Sequence, residues 1–142
     1  RRSSDLSKLT NVIGEGSFLV TTSRRTPRTL VFLLKEQLPV SHWLHTSEEK
    51  EENPYPVFLG AADRIIVTAD SISMLSEACM RGVPVYAFCP QYTMSQKHQR
   101  ALAMFEREGL VRPITQYDPE WQGGKKLDES ARIAALIRER LA

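Results

Sequence analysis

The hydrophobic pattern is clearest at residues 62–90, ADRIIVTADSISMLSEACMRGVPVYAFCP. Residues 64–68 (RIIVT) are an apolar, β-branched run of the kind that suits a strand covered on both faces. The period then changes. Asp70 or Ser71 suits an N-cap, and Ile72, Leu75, Ser76 and Cys79 fall on one helical face. Gly82 supplies a left-handed stop and Pro84 forbids continuation, so residues 83–88 (VPVYAF) read as the next strand. A strand that returns parallel after so short a helix makes a βαβ unit, and such units are right-handed almost without exception.

The same alternation extends along the chain. Leu6, Leu9, Val12 and Ile13 form a helical face ahead of Gly14 and Gly16, and residues 18–22 (FLVTT) form a strand. A helix opens with Thr26 as N-cap and Pro27 at its first position, presenting Leu30, Val31, Leu33, Leu34 and Leu38 before Pro39. Residues 40–44 (VSHWL) make a third strand. A solvated acidic loop follows over 47–53, and Asn53-Pro54-Tyr55 turns the chain back toward the core. Residues 95–108 make a helix burying Leu102 and Phe105, capped by Gly109 with Leu110 folding back. A last helix over 128–141 carries Ile133, Ile137 and Leu141 on one stripe. The expected fold is α/β, a Rossmann-like parallel sheet with helices on both faces.

Ligands of such sheets bind at the carboxyl ends of the strands. That end gathers Thr68, Asp70, Ser71 and Ser73, with Glu77 a turn further along the helix. Backbone N–H groups at a helix start and the positive end of its dipole suit a phosphate, and a carboxylate one turn on can accept hydrogen bonds from ribose hydroxyls. A purely structural reading stands beside this one: Asp70 caps the helix, the serines satisfy its first turn, and Glu77 is a solvated surface residue. Asp70 also opposes an anion. The cations that a diphosphate needs are present at Ser23-Arg24-Arg25, a strand-to-helix junction expected at the same sheet edge, unless Arg24 and Arg25 are simply solvated.

The segments TTSRRTP (21–27), ENPYPVFLGAADRIIVTADSISMLSEA (52–78) and GLVRPI (109–114), in this order, resemble the plant mitochondrial-fission factor family and its uncharacterised bacterial relatives, often labelled nucleoside-diphosphate-sugar epimerases. That family in turn resembles the carboxyl-terminal half of GT-B glycosyltransferases, in which a Ser-Glu pair holds the donor ribose; the pair here is Ser76-Glu77. The resemblance implies a nucleoside diphosphate or nucleotide-sugar ligand held by Arg24, Arg25, Ser71, Ser73, Ser76 and Glu77. It offers Asn53 and Tyr55 for the base, against a simple turn with an anchoring aromatic, and Gln96, His98 and Gln99 for the sugar. It implies neither a cofactor nor a metal, and it leaves the catalytic residues unassigned.

The 142 residues, 42% hydrophobic, suit one domain over 1–142, and the start at Arg1-Arg2 suggests a fragment lacking an amino-terminal acceptor domain. In that reading the fragment binds without turnover, and a homodimer through the uncovered face is a further expectation. A net charge of +2 with no basic stripe interleaved with aromatics argues against nucleic acid. Cys79 and Cys89 lack CxxC spacing and read as buried thiols of a reducing compartment. No apolar run approaches the ~20 residues of a membrane span. The expected location is the cytoplasm for a bacterial protein and the cytosolic face of mitochondria for a plant one.

Several sharper chemistries drop out. His42 and His45, three apart on a strand, face opposite ways and make poor joint metal ligands. No GxGxxG follows a strand, which weakens an epimerase dependent on nicotinamide. Three functions remain: the donor-binding half of a glycosyltransferase, a non-catalytic scaffold related to the fission factors, and an epimerase.

Overall fold

A computed structural model describes residues 17–22, 26, 28–38, 42–47, 49, 52–68, 72–88, 95–124, 135, 138 and 139. They belong to two compact units, one within Arg1–Ala62 and one within Asp63–Ala142. The expected helices over residues 6–13 and 128–141 lie outside the described residues, apart from isolated positions of the latter.

In the first unit, β1 (Phe18–Thr21) pairs in parallel with β2 (His42–His45), in the register Phe18 to His42 through Thr21 to His45. A parallel pair needs a crossover, and α1 (Arg28–Gln37) provides it. Val31, Leu34 and Leu38 are half-buried, whereas Phe32 is exposed. Strand β2 ends one residue later than the alternation suggested, so His45 belongs to the strand and is buried.

The turn expected at residues 53–55 is instead the entry to a helix, α2 (Tyr55–Ala61). The sequence YPVFLGA, with a β-branched residue, a glycine and a proline, has little intrinsic helix preference. Its proline sits in the first turn, where the missing N–H costs nothing, and the Asn53 side-chain carbonyl accepts the Tyr55 N–H at 3.1 Å. Phe58 of α2 is buried and meets Trp43 edge to face, with ring centroids 5.0 Å apart. Tertiary packing of that ring outweighs the weak local propensity.

The second unit is a three-stranded parallel sheet in the order β3 (Ile65–Thr68), β4 (Val85–Phe88), β5 (Arg112–Pro113). Helix α3 (Ile72–Cys79) joins β3 to β4, and α4 (Gln96–Arg107) lies between β4 and β5. Strands that advance in one direction with right-handed crossovers carry both helices on one face, and α3 packs against β3, β4 and α4. Leu75, Ala78 and Cys79 of α3, Ala101, Leu102, Met104 and Phe105 of α4, and Val67, Val85 and Ala87 of the strands form the core.

Helix ends follow their caps. Ser95 accepts the His98 N–H through its hydroxyl at the start of α4. At its end Gly109 takes φ +75°, its N–H bonds to the Glu106 carbonyl, and the Leu110 N–H reaches back to Phe105. This paired closure needs the left-handed residue that glycine provides. Gly82 likewise has φ +75° and follows the last turn of α3.

The opposite face of the sheet is closed by a strap, residues 114–124, which begins with a 3-10 turn at Ile114–Gln116. Strand β5 and the strap were not anticipated, because a two-residue strand has no period to read. Tyr86, fully buried, donates its hydroxyl to the Asp118 carbonyl at 2.9 Å and accepts the Asp118 N–H at 3.3 Å. Tyr117 and Trp121 pack on the Tyr86 ring at 5.0 and 5.3 Å. The Arg112 guanidinium lies 4.4 Å from the Trp121 ring centre, and Arg64 donates to the Pro119 carbonyl at 3.0 Å. Gly123, at φ +96°, runs so close to the backbone of Val83 and Pro84 that a Cβ would sit 3.0 Å from it.

The α/β class expected from the sequence is therefore present, as two small parallel sheets with helices. Tyr86→Phe should lower unfolding free energy in urea by about 1 kcal/mol, since it removes both hydrogen bonds to Asp118 and keeps the ring packing. Leu75→Ala should cost about 2–5 kcal/mol by the same measurement.

Candidate functional site

The carboxyl edge of β3 leads into α3, and three of the expected ligand-contacting residues lie on that helix. Ser73 and Glu77 are both exposed and stand one turn apart, so they share a face directed away from the buried Leu75 and Cys79. Ser76 is half-buried and donates its hydroxyl to the Ile72 carbonyl at 2.9 Å. The helix thus brings Ser73 and Glu77 together at its outer face and turns the Ser76 hydroxyl inward along its own backbone. Ser71, Asp70, Arg24 and Arg25 lie outside the described residues.

The remaining candidates sit at two helix starts. Asn53 holds the first turn of α2 through its side-chain carbonyl, and Tyr55, half-buried, is the first residue of that helix. At the start of α4, Gln96 and Gln99 are exposed, while His98 is half-buried with Nδ1 2.6 Å from the Ser95 hydroxyl. Ser95 therefore links the ring and the helix cap in one small network. Among the described residues no group of three or more potential ligands could hold a metal ion. No described helix is long and apolar enough to cross a membrane.

One polar pair escaped the sequence reading. His45, the last residue of β2, is buried, and Glu49, half-exposed, places Oε2 at 3.8 Å from its Nε2. The Thr46 N–H donates to the same carboxylate oxygen at 2.8 Å, which fixes the Glu49 side chain across the turn. His42, at the other end of the strand, is exposed. The acidic pattern over 47–53 predicts a solvated loop throughout, and the folded turn sets Glu49 apart by its bond to the Thr46 N–H.

With this geometry in view, comparison with known proteins decides the family. A family model described as mitochondrial fission ELM1 matches residues 3–141. This chain belongs to the mitochondrial fission ELM1 family. The mitochondrial fission protein ELM1 of Arabidopsis thaliana is 32% identical over 150 aligned positions, which cover 100% of this chain and 35% of the relative. An uncharacterised protein of Rickettsia prowazekii is 32% identical over 125 residues, covering 85% of this chain and 35% of that protein. The chain therefore spans about a third of the length of these curated relatives. No solved structure matches it. The resemblance carried by TTSRRTP, the 52–78 block and GLVRPI thus agrees with the family match, and the Arabidopsis relative is named for fission and not for glycosyl transfer.

Cys79 on α3 bears out the reading of a buried thiol; Cys89 lies outside the described residues. Burial pushes the Cys79 thiol up from 9.0 to about 12, and its sulfur lies 3.8 Å from the Leu110 carbonyl. A thiol so held is a poor nucleophile. In the folded ELM1-family chain at pH 8, Cys79 should resist iodoacetamide and become labelled in urea, as read by peptide mass spectrometry. The unfolded thiol releases its proton near pH 9 and the folded one near 12, so this group's stabilisation is complete below pH 9 and is lost as pH rises toward 12. Cys79→Ala should flatten that part of the alkaline stability profile.

Proposed function

We propose that this chain is a non-catalytic module of a fission-family protein, keeping a nucleotide-sugar-binding form of the α/β fold and using it to bind without turnover. The observation that carries this reading is the family match over residues 3–141, joined to 32% identity along the chain with a protein named for mitochondrial fission. In a plant protein the module acts at the cytosolic face of mitochondria; in a bacterial one it acts in the cytoplasm.

A second reading, the donor-binding half of a GT-B-like glycosyltransferase, is favoured by one local feature. Helix α3 starts just beyond β3, with Ser73 and Glu77 exposed a turn apart. In both readings Ser71 and Ser73, at the start of α3, receive a nucleoside diphosphate, and Glu77 accepts hydrogen bonds from the ribose. Gln96, His98 and Gln99 serve the sugar. In the second reading the parent protein completes an acceptor site and the departing diphosphate is stabilised by the same groups. An epimerase requires a bound nicotinamide for which the sequence has no fingerprint.

Thermal denaturation with nucleoside diphosphates and their sugars tests both. A ligand at a hundred times its Kd stabilises by about 2.7 kcal/mol, a shift of several degrees for a domain of this size. Uridine or guanosine diphosphate should raise the Tm, and Glu77→Ala should remove most of the gain. Incubated nucleotide-sugars should stay intact; sugar release or transfer by the full-length protein would favour the second reading. No shift with any nucleoside diphosphate would contradict both.

A further inference from the structure

Helix α4 carries its charge unevenly. Its inner side, Ala101, Leu102, Met104 and Phe105, is buried in the core of the second unit. Its exposed residues are Gln96, Lys97, Gln99, Arg100, Ala103 and Arg107, so every charge among them is positive. At 3.6 residues per turn Lys97, Arg100 and Arg107 fall within an arc of about 80° and run about 15 Å along the axis. No ion pair to a described acid holds any of the three. The acids nearest in sequence, Glu106 and Glu108, are half-buried, and burial pushes the Glu106 carboxyl above its ordinary range.

This pattern opposes what the helix alone prefers. A first turn favours acids, which complement the positive end of the dipole, and a serine cap favours a glutamate three residues on. After the Ser95 cap the first turn of α4 holds no acid, Lys97 is its second residue, and His98 stands where the glutamate would. Cations crowded on one stripe also repel each other. A local rule broken with no local gain is expected where a partner supplies the gain.

The same face says what kind of partner fits. Its charge calls for anions, and a stripe of about 15 Å outruns a single phosphate, so the anions form a chain or a surface. Single-stranded nucleic acid stacks its bases on aromatic side chains, and the exposed face of α4 has none. Protein interfaces centre on large side chains in a dry pocket and are poor in lysine, whereas the middle of this stripe is Ala103 between hydrated cations. An anionic bilayer attracts lysine and arginine without a dry contact, across a Debye length of about 10 Å at 0.1 M salt.

We propose that the outer face of α4 rests on an anionic phospholipid bilayer, with Lys97, Arg100 and Arg107 meeting headgroup phosphates and carboxylates. The helix does not insert, because its apolar side stays in the core. This inference goes beyond the nucleotide binding proposed above and does not depend on it.

Flotation of the chain with vesicles of mixed phosphatidylserine and phosphatidylcholine, or of phosphatidylcholine alone, tests it. The chain should bind the anionic vesicles at about 0.1 M salt, leave them near 1 M, where the Debye length falls to about 3 Å, and ignore the neutral ones. Arg100→Gln combined with Arg107→Gln should lower partitioning about twentyfold, roughly fivefold per cation. Arg28→Gln combined with Lys35→Gln removes the same charge from exposed positions of α1 and should leave partitioning nearly unchanged. All four residues are exposed, so the Tm should be the same in every variant. No binding to anionic vesicles, equal binding to neutral ones, or equal losses in the two double variants would overturn the inference. Binding to polyglutamate or to DNA, with none to the vesicles, would overturn it in favour of a protein or nucleic-acid partner.

Discussion

Two parallel strands cannot be joined by a tight turn, and this requirement organises both units of the chain. Each strand must be followed by a segment that climbs over the sheet and returns the chain to its starting edge. Helices α1 and α3 do this between β1 and β2 and between β3 and β4, and α4 lies between β4 and β5. The consequence reaches beyond packing. Every strand in such a unit delivers its carboxyl end, and the helix start that follows, to the same edge. Polar residues therefore accumulate there without any loss to the core: Thr68, Ser73 and Glu77 in the second unit, Thr22, His45, Thr46 and Glu49 in the first. The amino ends meet no such demand.

The second unit also has to close the face its helices leave open, and it does so with the strap after β5. Tyr86 is the centre of that closure. Its ring is sealed by Tyr117 and Trp121 and its hydroxyl is paired in both directions with the backbone of Asp118. Arg64 and Arg112 then tie the strap to both outer strands of the sheet through a carbonyl and an aromatic face. Burying a phenol is costly only when its hydroxyl is left unpaired, so the strap and the tyrosine each make the other affordable. The near-contact of Gly123 with the 83–84 backbone fixes where the strap ends.

The sequence made the strand and helix pattern of the second unit legible, because IIVT, the 72–79 face and VYAF each carry a strong period and are punctuated by Gly82 and Pro84. The end of α4 was legible for the same reason: Gly109 with Leu110 behind it is a capping pattern with one physical meaning. Helix α2 was not, since its residues favour no helix locally and it is held by Phe58 against Trp43, a contact between positions far apart in sequence. Strand β5 was too short to show alternation. Of the candidate site, the exposure of Ser73 and Glu77 on one face followed directly from helical geometry. The inward hydroxyl of Ser76 did not, because a serine in mid-helix can either reach out or bond back to its own backbone. The His45–Glu49 pair was hidden by a strand boundary misplaced by one residue and by a loop read only through its charge.

The account turns on the carboxyl edge of the second unit acting as the place where the chain meets its ligand. Hydrogen–deuterium exchange with and without saturating uridine or guanosine diphosphate tests this most directly. Peptides spanning residues 68–77 should exchange more slowly when the nucleotide is present, while those spanning 99–107, in the middle and last turns of α4, should be unchanged. Unaltered exchange over 68–77 at a nucleotide concentration shown to bind the chain would contradict it.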